Sequence, residues 1–148
     1  MKDKYIAGAI AGIIGALIQD VYAYLVKLLG FSDRGFIDFA RAVIFSTVND
    51  GTMEMIVASI AHIIWDLLLG ILFVYIIERM SKSFYYCKAL IYGSFLWFMI
   101  QVLGTLFRLP MFFHIPARAA LLTLTGAICY SLGIALFVRV LGKRNQLQ

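Results

Sequence analysis

The chain has 148 residues, 63% of them hydrophobic and only 14% charged, with a mean hydropathy of +0.92 and a formal net charge of +5. Soluble domains carry about 25% charged residues, so this composition excludes an ordinary soluble fold and points to an integral membrane protein of one domain. A nucleic-acid-binding role is excluded as well, because it needs a solvated basic patch with base-stacking aromatics.

Four apolar runs approach the roughly 20 residues that span a bilayer. They are far too long for barrel strands, so they read as helices, the other structure that satisfies its own backbone in lipid. The first, 5–29, follows Lys2 and Lys4. It is longer than the apolar region of a secretory signal, is interrupted by Gln19 and Asp20, and lacks an A-x-A cleavage site, so it reads as a retained span. Gly8, Gly12, Ala16 and Asp20 recur in it at every fourth position. Such a line of small residues lets two backbones approach closely, and it delivers Asp20 to the interior with Gln19 beside it.

Residues 30–52 form the first connecting loop, and "SDRGFIDFARAVIFSTV" within it is helical in pattern. Arg34, Asp38 and Arg41 share one side; Phe36, Ala40, Val43, Ile44 and Thr47 share another. This predicts an amphipathic helix over about 33–48, either lying in the membrane interface or re-entrant among the spans. The second span, 53–77, carries "IAHIIWDLLLG". His62 and Asp66 are four residues apart and therefore about 40° apart around a helix axis. Their stripe runs back to Ala58 and on to Gly70.

The third span, 84–107, repeats the pattern with Gly93, Trp97, Gln101 and Thr105. Two prolines in the following "RLPMFFHIPAR" forbid a regular helix, and its aromatic and Met side chains are expected in the headgroup region. The fourth span, 119–141, offers Thr123, Thr125, Gly126, Tyr130 and Gly133. The fold class is thus all-α, with four transmembrane helices and one short amphipathic helix. Trp65 and Trp97 fall near the midplane, where their indole N–H groups want partners such as a carboxylate. Cys87 and Cys129 belong to no C-x-x-C pair, so they read as buried small apolar side chains with no disulfide.

Lys and Arg near the spans set the orientation. Lys2, Lys4, Arg79, Lys82, Lys88, Arg139, Lys143 and Arg144 fall on one side, and Lys27, Arg34, Arg41, Arg108 and Arg118 on the other. Eight against five places both termini in the cytoplasm. Asp20 and His62 then lie roughly 14 Å below the external ends of their spans, Asp66 lies near the midplane, and Gln101 lies shallower. Arg108, His114 and Arg118 sit above them in the external loop.

Ionisable groups at such depth face the bundle interior or a wet cavity. One reading is therefore a ligand or ion site of Asp20, His62, Asp66, Gln101 and Gln19, with Arg108, His114 and Arg118 at its external mouth. A histidine with carboxylates suits protons, a cation or a small polar ligand. The plain alternative is a structural or assembly subunit whose polar residues hydrogen-bond across helices and specify packing, at about 0.6–2 kcal/mol per bond. A lipid-modifying enzyme, with Arg108 and Arg118 on a headgroup phosphate, stands third; its bland counterpart is interfacial anchoring. The H-x-x-x-D spacing does not by itself define a metal site, and no bis-histidine pair suggests haem, so neither metal nor cofactor is expected. The expected partners are membrane lipids and a homo-oligomer or larger membrane complex.

The order of features resembles a known group. A first span with "AGAIAGIIGA" precedes a span with an internal histidine that ends in "YIIERM". A short basic turn and "KALIYGSFLWF" follow, then a proline-bearing loop and "LTGAICYSLGIAL". This is similar to small four-helix bacterial inner-membrane proteins of the YagU-like kind and related uncharacterised families. The resemblance implies a four-span protein of the bacterial cytoplasmic membrane with a loose link to acid tolerance, and it implies no residue roles.

Overall fold

The computed structural model describes residues 4–32, 34–45, 51–80 and 83–144, in five helices. They are α1 (Lys4–Leu28), α2 (Phe36–Phe45), α3 (Thr52–Arg79), α4 (Tyr85–Leu106) and α5 (Ala117–Arg144). All but α2 are long and apolar enough to cross a bilayer. A third or less of the residues in each such stretch are buried, so the outer surface is apolar as well as the core.

α1 is central, packed against α3 on one side and α5 on the other, while α5 also holds α4. The α1–α3 contact is a backbone-to-backbone seam. A Cβ added to Gly8 would stand 2.6 Å from the Ile71 Cα, one on Gly70 would stand 2.5 Å from the Gly12 Cα, and one on Gly12 would run into the Asp66 carbonyl oxygen. Gly15 faces the other way and receives Tyr130 and Ile134 of α5. The four-residue repeat read from the sequence is thus the α3-facing line, and Ala58, His62, Asp66 and Gly70 are the answering buried stripe.

Two apolar clusters flank the level of Asp66. Phe73, Tyr92, Tyr130, Ile134 and Ala135 form the larger one. Phe39 and Ala42 of α2 join Phe112 in the smaller, with Ile100 packed against it. α3 and α4 touch directly near Tyr92, whose hydroxyl donates to the Leu69 carbonyl at 2.7 Å. Further along, α2 packs on α3, and Ile100 of α4 meets the cluster that α2 forms with Phe112.

α2 lies with its flanks exchanged relative to the amphipathic expectation. Phe39, Arg41 and Ala42 are buried, while Val43 and Ile44 are exposed. Arg41 lies 3.1 Å from the Asp38 carboxylate, and Asp38 also accepts the Gly35 N–H at 2.8 Å, so the charged side turns inward as a partnered unit. Val43 and Ile44 join an outer surface that is already largely apolar. The expected continuation of this helix to 46–48 lies outside the described residues.

The helix ends explain the loops. Beyond α1, Gly30 at φ 71° allows Gly30 N–H to bond to Lys27 and Phe31 N–H to bond to Val26, the two bonds of a Schellman stop. α4 ends in the same way, with Arg108 N–H on Thr105 and Leu109 N–H on Gly104, but the left-handed position is held by Arg108 at φ 52°. This turn drives Phe112 inward against Gly104 and Phe39. Phe112 is therefore a core residue rather than a headgroup-level one.

Gly12→Leu tests the seam. Forcing a side chain into a backbone contact is expected to cost about 1–3 kcal/mol, seen as a lowered melting point in detergent, whereas Leu17→Ala on the exposed face of α1 should change little.

Candidate functional site: a histidine between two carboxylates

The seam sets two aspartates around one histidine. His62 Nε2 lies 3.1 Å from Asp20 Oδ1 in a hydrogen bond between α3 and α1. His62 Nδ1 lies 3.2 Å from Asp66 Oδ2, one turn along its own helix. The second approach is an ion-pair distance off the line of a hydrogen bond, and Asp66 Oδ2 is buried without another partner. The two ends differ in access. The Asp20 side chain is 38% exposed in the isolated chain, that of Asp66 only 5%, and that of His62 7%.

Packing fixes the imidazole from the remaining sides. The Phe36 ring lies parallel to it, within 7° and with centroids 6.5 Å apart. Phe36 is seated where a Cβ on Gly126 would strike it, with Tyr22 beside that glycine. Tyr130 donates its hydroxyl to the Asp66 backbone carbonyl, tying α5 to the turn that carries the buried carboxylate. Phe36 and Tyr22 were not legible as site residues: each looks like one more aromatic in an apolar run.

The other expected members lie elsewhere. Gln19 is buried next to Asp20, but no hydrogen bond among the described residues joins it to the triad. Gln101 is likewise unconnected to it, and its Oε1 is buried without a partner. Gln101 and His62 lie on α4 and α3, two helices that meet at few points, one of them the bond from Tyr92 to Leu69. Trp97 donates its indole N–H to Thr123 Oγ1 at 3.0 Å, not to a carboxylate, and Trp65 is 53% exposed on the outer face of α3.

Arg108, His114 and Arg118 are all exposed. Arg108 forms the α4 stop described above, His114 sits in a second left-handed position at φ 59°, and the Arg118 guanidinium stacks on Phe31 at 5.0 Å. With Arg34 Nη1 donating to the Met111 carbonyl at 3.1 Å, Arg118 fastens the α1–α2 connection to the α4–α5 loop. Cys87 is exposed, Cys129 half-buried, and both are free thiols.

The arrangement favours proton exchange over metal coordination. The two ring nitrogens of an imidazole point in different directions, so a carboxylate at each leaves no common point for an ion. Among the described residues no group of three His, Cys, Asp or Glu side chains could hold one. With both aspartates ionised, both ring nitrogens are asked to donate, which requires the imidazolium and leaves one net negative charge in the interior. No family model, curated protein or solved structure matches the chain. The likeness to the YagU-like proteins accordingly rests on the order of features alone.

Two substitutions separate structural from chemical roles. His62→Leu leaves Asp66 buried beside no cation, at a cost of about 3–5 kcal/mol, and the double change His62→Leu with Asp66→Leu should regain most of it; thermal melts in detergent give both values. Arg108→Gly removes a left-handed non-glycine residue and should raise stability by about 1 kcal/mol, while a role for Arg108 at an external mouth would show as lost activity in that same variant.

Proposed function

We propose that this is a four-span protein of the bacterial cytoplasmic membrane, with both termini in the cytoplasm, in which Asp20, His62 and Asp66 take up and release a proton on the external side. Support for residence in a bilayer comes from the four long apolar helices with their largely unburied apolar faces. Support for the orientation comes from the eight-to-five distribution of Lys and Arg. In this orientation the tip of α2, where Phe36 reaches His62, sits well below the external surface, so α2 is the re-entrant alternative of the two.

One observation carries the proton reading: each nitrogen of a single imidazole faces a carboxylate, one half-exposed and one buried. A neutral histidine holds one proton and can exchange it at either nitrogen. In the ionised triad the imidazolium carries a proton on each nitrogen; its Nδ1 proton passes to Asp66, its Nε2 proton stays, and one proton arriving from outside is held on Asp20, so that the triad ends neutral. Charge gives the direction its driving force. The ionised triad carries one net negative charge, and an uncompensated charge in a dry interior costs several kcal/mol, so one added proton, or one cation, neutralises it. Beyond Asp66 the interior is the cluster of Phe73, Tyr92, Tyr130 and Ile134, whose two tyrosine hydroxyls are both donated to backbone carbonyls, those of Leu69 and Asp66. The triad therefore works as a one-sided acceptor whose release to the other side requires helix movement.

A second reading has its own observation. The same bond, His62 to Asp20, joins α3 to α1 between two apolar clusters, as a device for packing register would. A subunit that assembles with other membrane chains, or with copies of itself, needs no more than this.

Reconstitution decides between them. Proteoliposomes carrying a pH gradient and an internal pH dye should show protein-dependent proton movement that falls at least about tenfold in Asp66→Asn, where the amide cannot accept the proton. Unchanged movement in a normally folded Asp66→Asn, or none in the wild type, leaves the packing reading.

A further inference from the structure

Of the side chains set around the His62 imidazole, Asp20 and Asp66 belong to α1 and α3, whose backbones touch. Phe36 belongs to α2, which lies outside that frame. The long helices are joined by extended seams, α1 to α3 and to α5, and α5 to α4, whereas α2 packs along α3 and reaches the rest through single side chains. Phe36 enters the recess at Gly126 of α5, Phe39 meets Phe112 edge-on at 5.0 Å, and Arg34, just before the helix, donates to the Met111 carbonyl. The last two of these fasteners end on the α4–α5 loop. Of the four described non-glycine residues with left-handed φ, Arg108, Met111 and His114 all lie in this loop, and backbone strained in this way gathers at segments that switch. The Arg41–Asp38 pair and the bond from Gly35 to Asp38 are internal to α2 and its entry turn, so they travel with it. With α2 seated, access ends at Asp20, whose side chain is 38% exposed against 7% for His62.

We propose that α2 is a lid on the imidazole and Phe36 its seal: when α2 lifts from α3, the Phe36 ring leaves the Gly126 recess and water reaches His62 directly. The parallel Phe36 ring covers one face of the imidazole, while its two nitrogens face the carboxylates. Lifting α2 therefore uncovers the ring without separating it from either aspartate. Separating α1 from α3 would do the opposite, because it breaks the His62–Asp20 bond along with the backbone seam. Opening thus falls to the small helix, whose hold on α5 and on the α4–α5 loop consists of separate side-chain contacts. The inference deepens the proton reading and rests on it for its purpose, since it names the element that admits water to the triad. The reactivity of His62 is read without any gradient, so a failed proton assay leaves the lid standing and a failed lid leaves the proton assay's result.

The chain has two histidines, and they supply the test, because His114 is exposed and His62 buried. The full-length protein in nanodiscs is treated with diethyl pyrocarbonate, which acylates an imidazole nitrogen that it can reach, and the rate at each histidine is read by peptide mass spectrometry. In the wild type His62 should react at least about tenfold more slowly than His114, since only the open population is attacked. Phe36→Ala should bring His62 to within about threefold of His114. Arg34→Gln leaves every group at the imidazole in place and cuts one fastener, so it should speed His62 at least about threefold by raising the open fraction. A fixed cover would not respond to that change, because its ring stays seated. Should Phe36→Ala fail to fold, as judged by its melting transition, Arg34→Gln decides alone. Equal reactivity of the two histidines in the wild type, protection of His62 that persists in a folded Phe36→Ala, or an unchanged His62 rate in Arg34→Gln would each overturn the lid.

Discussion

Backbone contact between α1 and α3 is the constraint on which the rest of the structure depends. Gly8 and Gly12 let α1 come so close to Gly70 and Asp66 that no Cβ fits between them. At that separation the short Asp20 side chain of α1 meets the imidazole of His62 on α3 at 3.1 Å. The glycines and the polar triad are therefore one device. The small residues set the distance, and the hydrogen bond from His62 to Asp20 sets the register along it.

The same contact accounts for the layering around the triad. On one side α1 and α5 close over Tyr130 and Ile134, with Phe73 and Tyr92 completing an apolar block. On the other, α2 packs on α3 and brings Phe36 onto the His62 ring. The polar atoms are held between two apolar layers, in the kind of low-dielectric surroundings where an extra charge is costly and a proton or cation is most strongly held. Asp20 is the member of the triad with access, and Asp66 the member without. That asymmetry gives the cluster a direction that its composition alone does not have.

α2 shows how far local pattern can mislead in such a chain. Arg41 is buried and paired with Asp38, while Val43 and Ile44 face out. In water the hydrophobic effect would have chosen the opposite orientation. Here the outer surface is apolar as well, so shape and polar pairing decide which side of α2 turns in. Phe39 and Ala42 fit beside Phe112, which the tight turn after α4 drives inward.

The sequence by itself determined the helices and their polar faces. Run length fixed the four long elements within a few residues, and the four-residue repeats marked the small-residue lines of α1 and α3 and included Asp20, His62 and Asp66 among the site candidates, because only small or ionisable residues break the uniformity of an apolar helix. Tertiary structure decided which helices are neighbours. Gln101 has the same signature as His62, yet it lies on α4, which meets α3 at few points, and its Oε1 finds no partner there. Trp97 likewise found Thr123 on α5 and not a carboxylate. Periodicity reports which way a side chain points around its own axis. It carries no information about what stands opposite, and in a chain whose outside is as apolar as its inside, burial is no guide either.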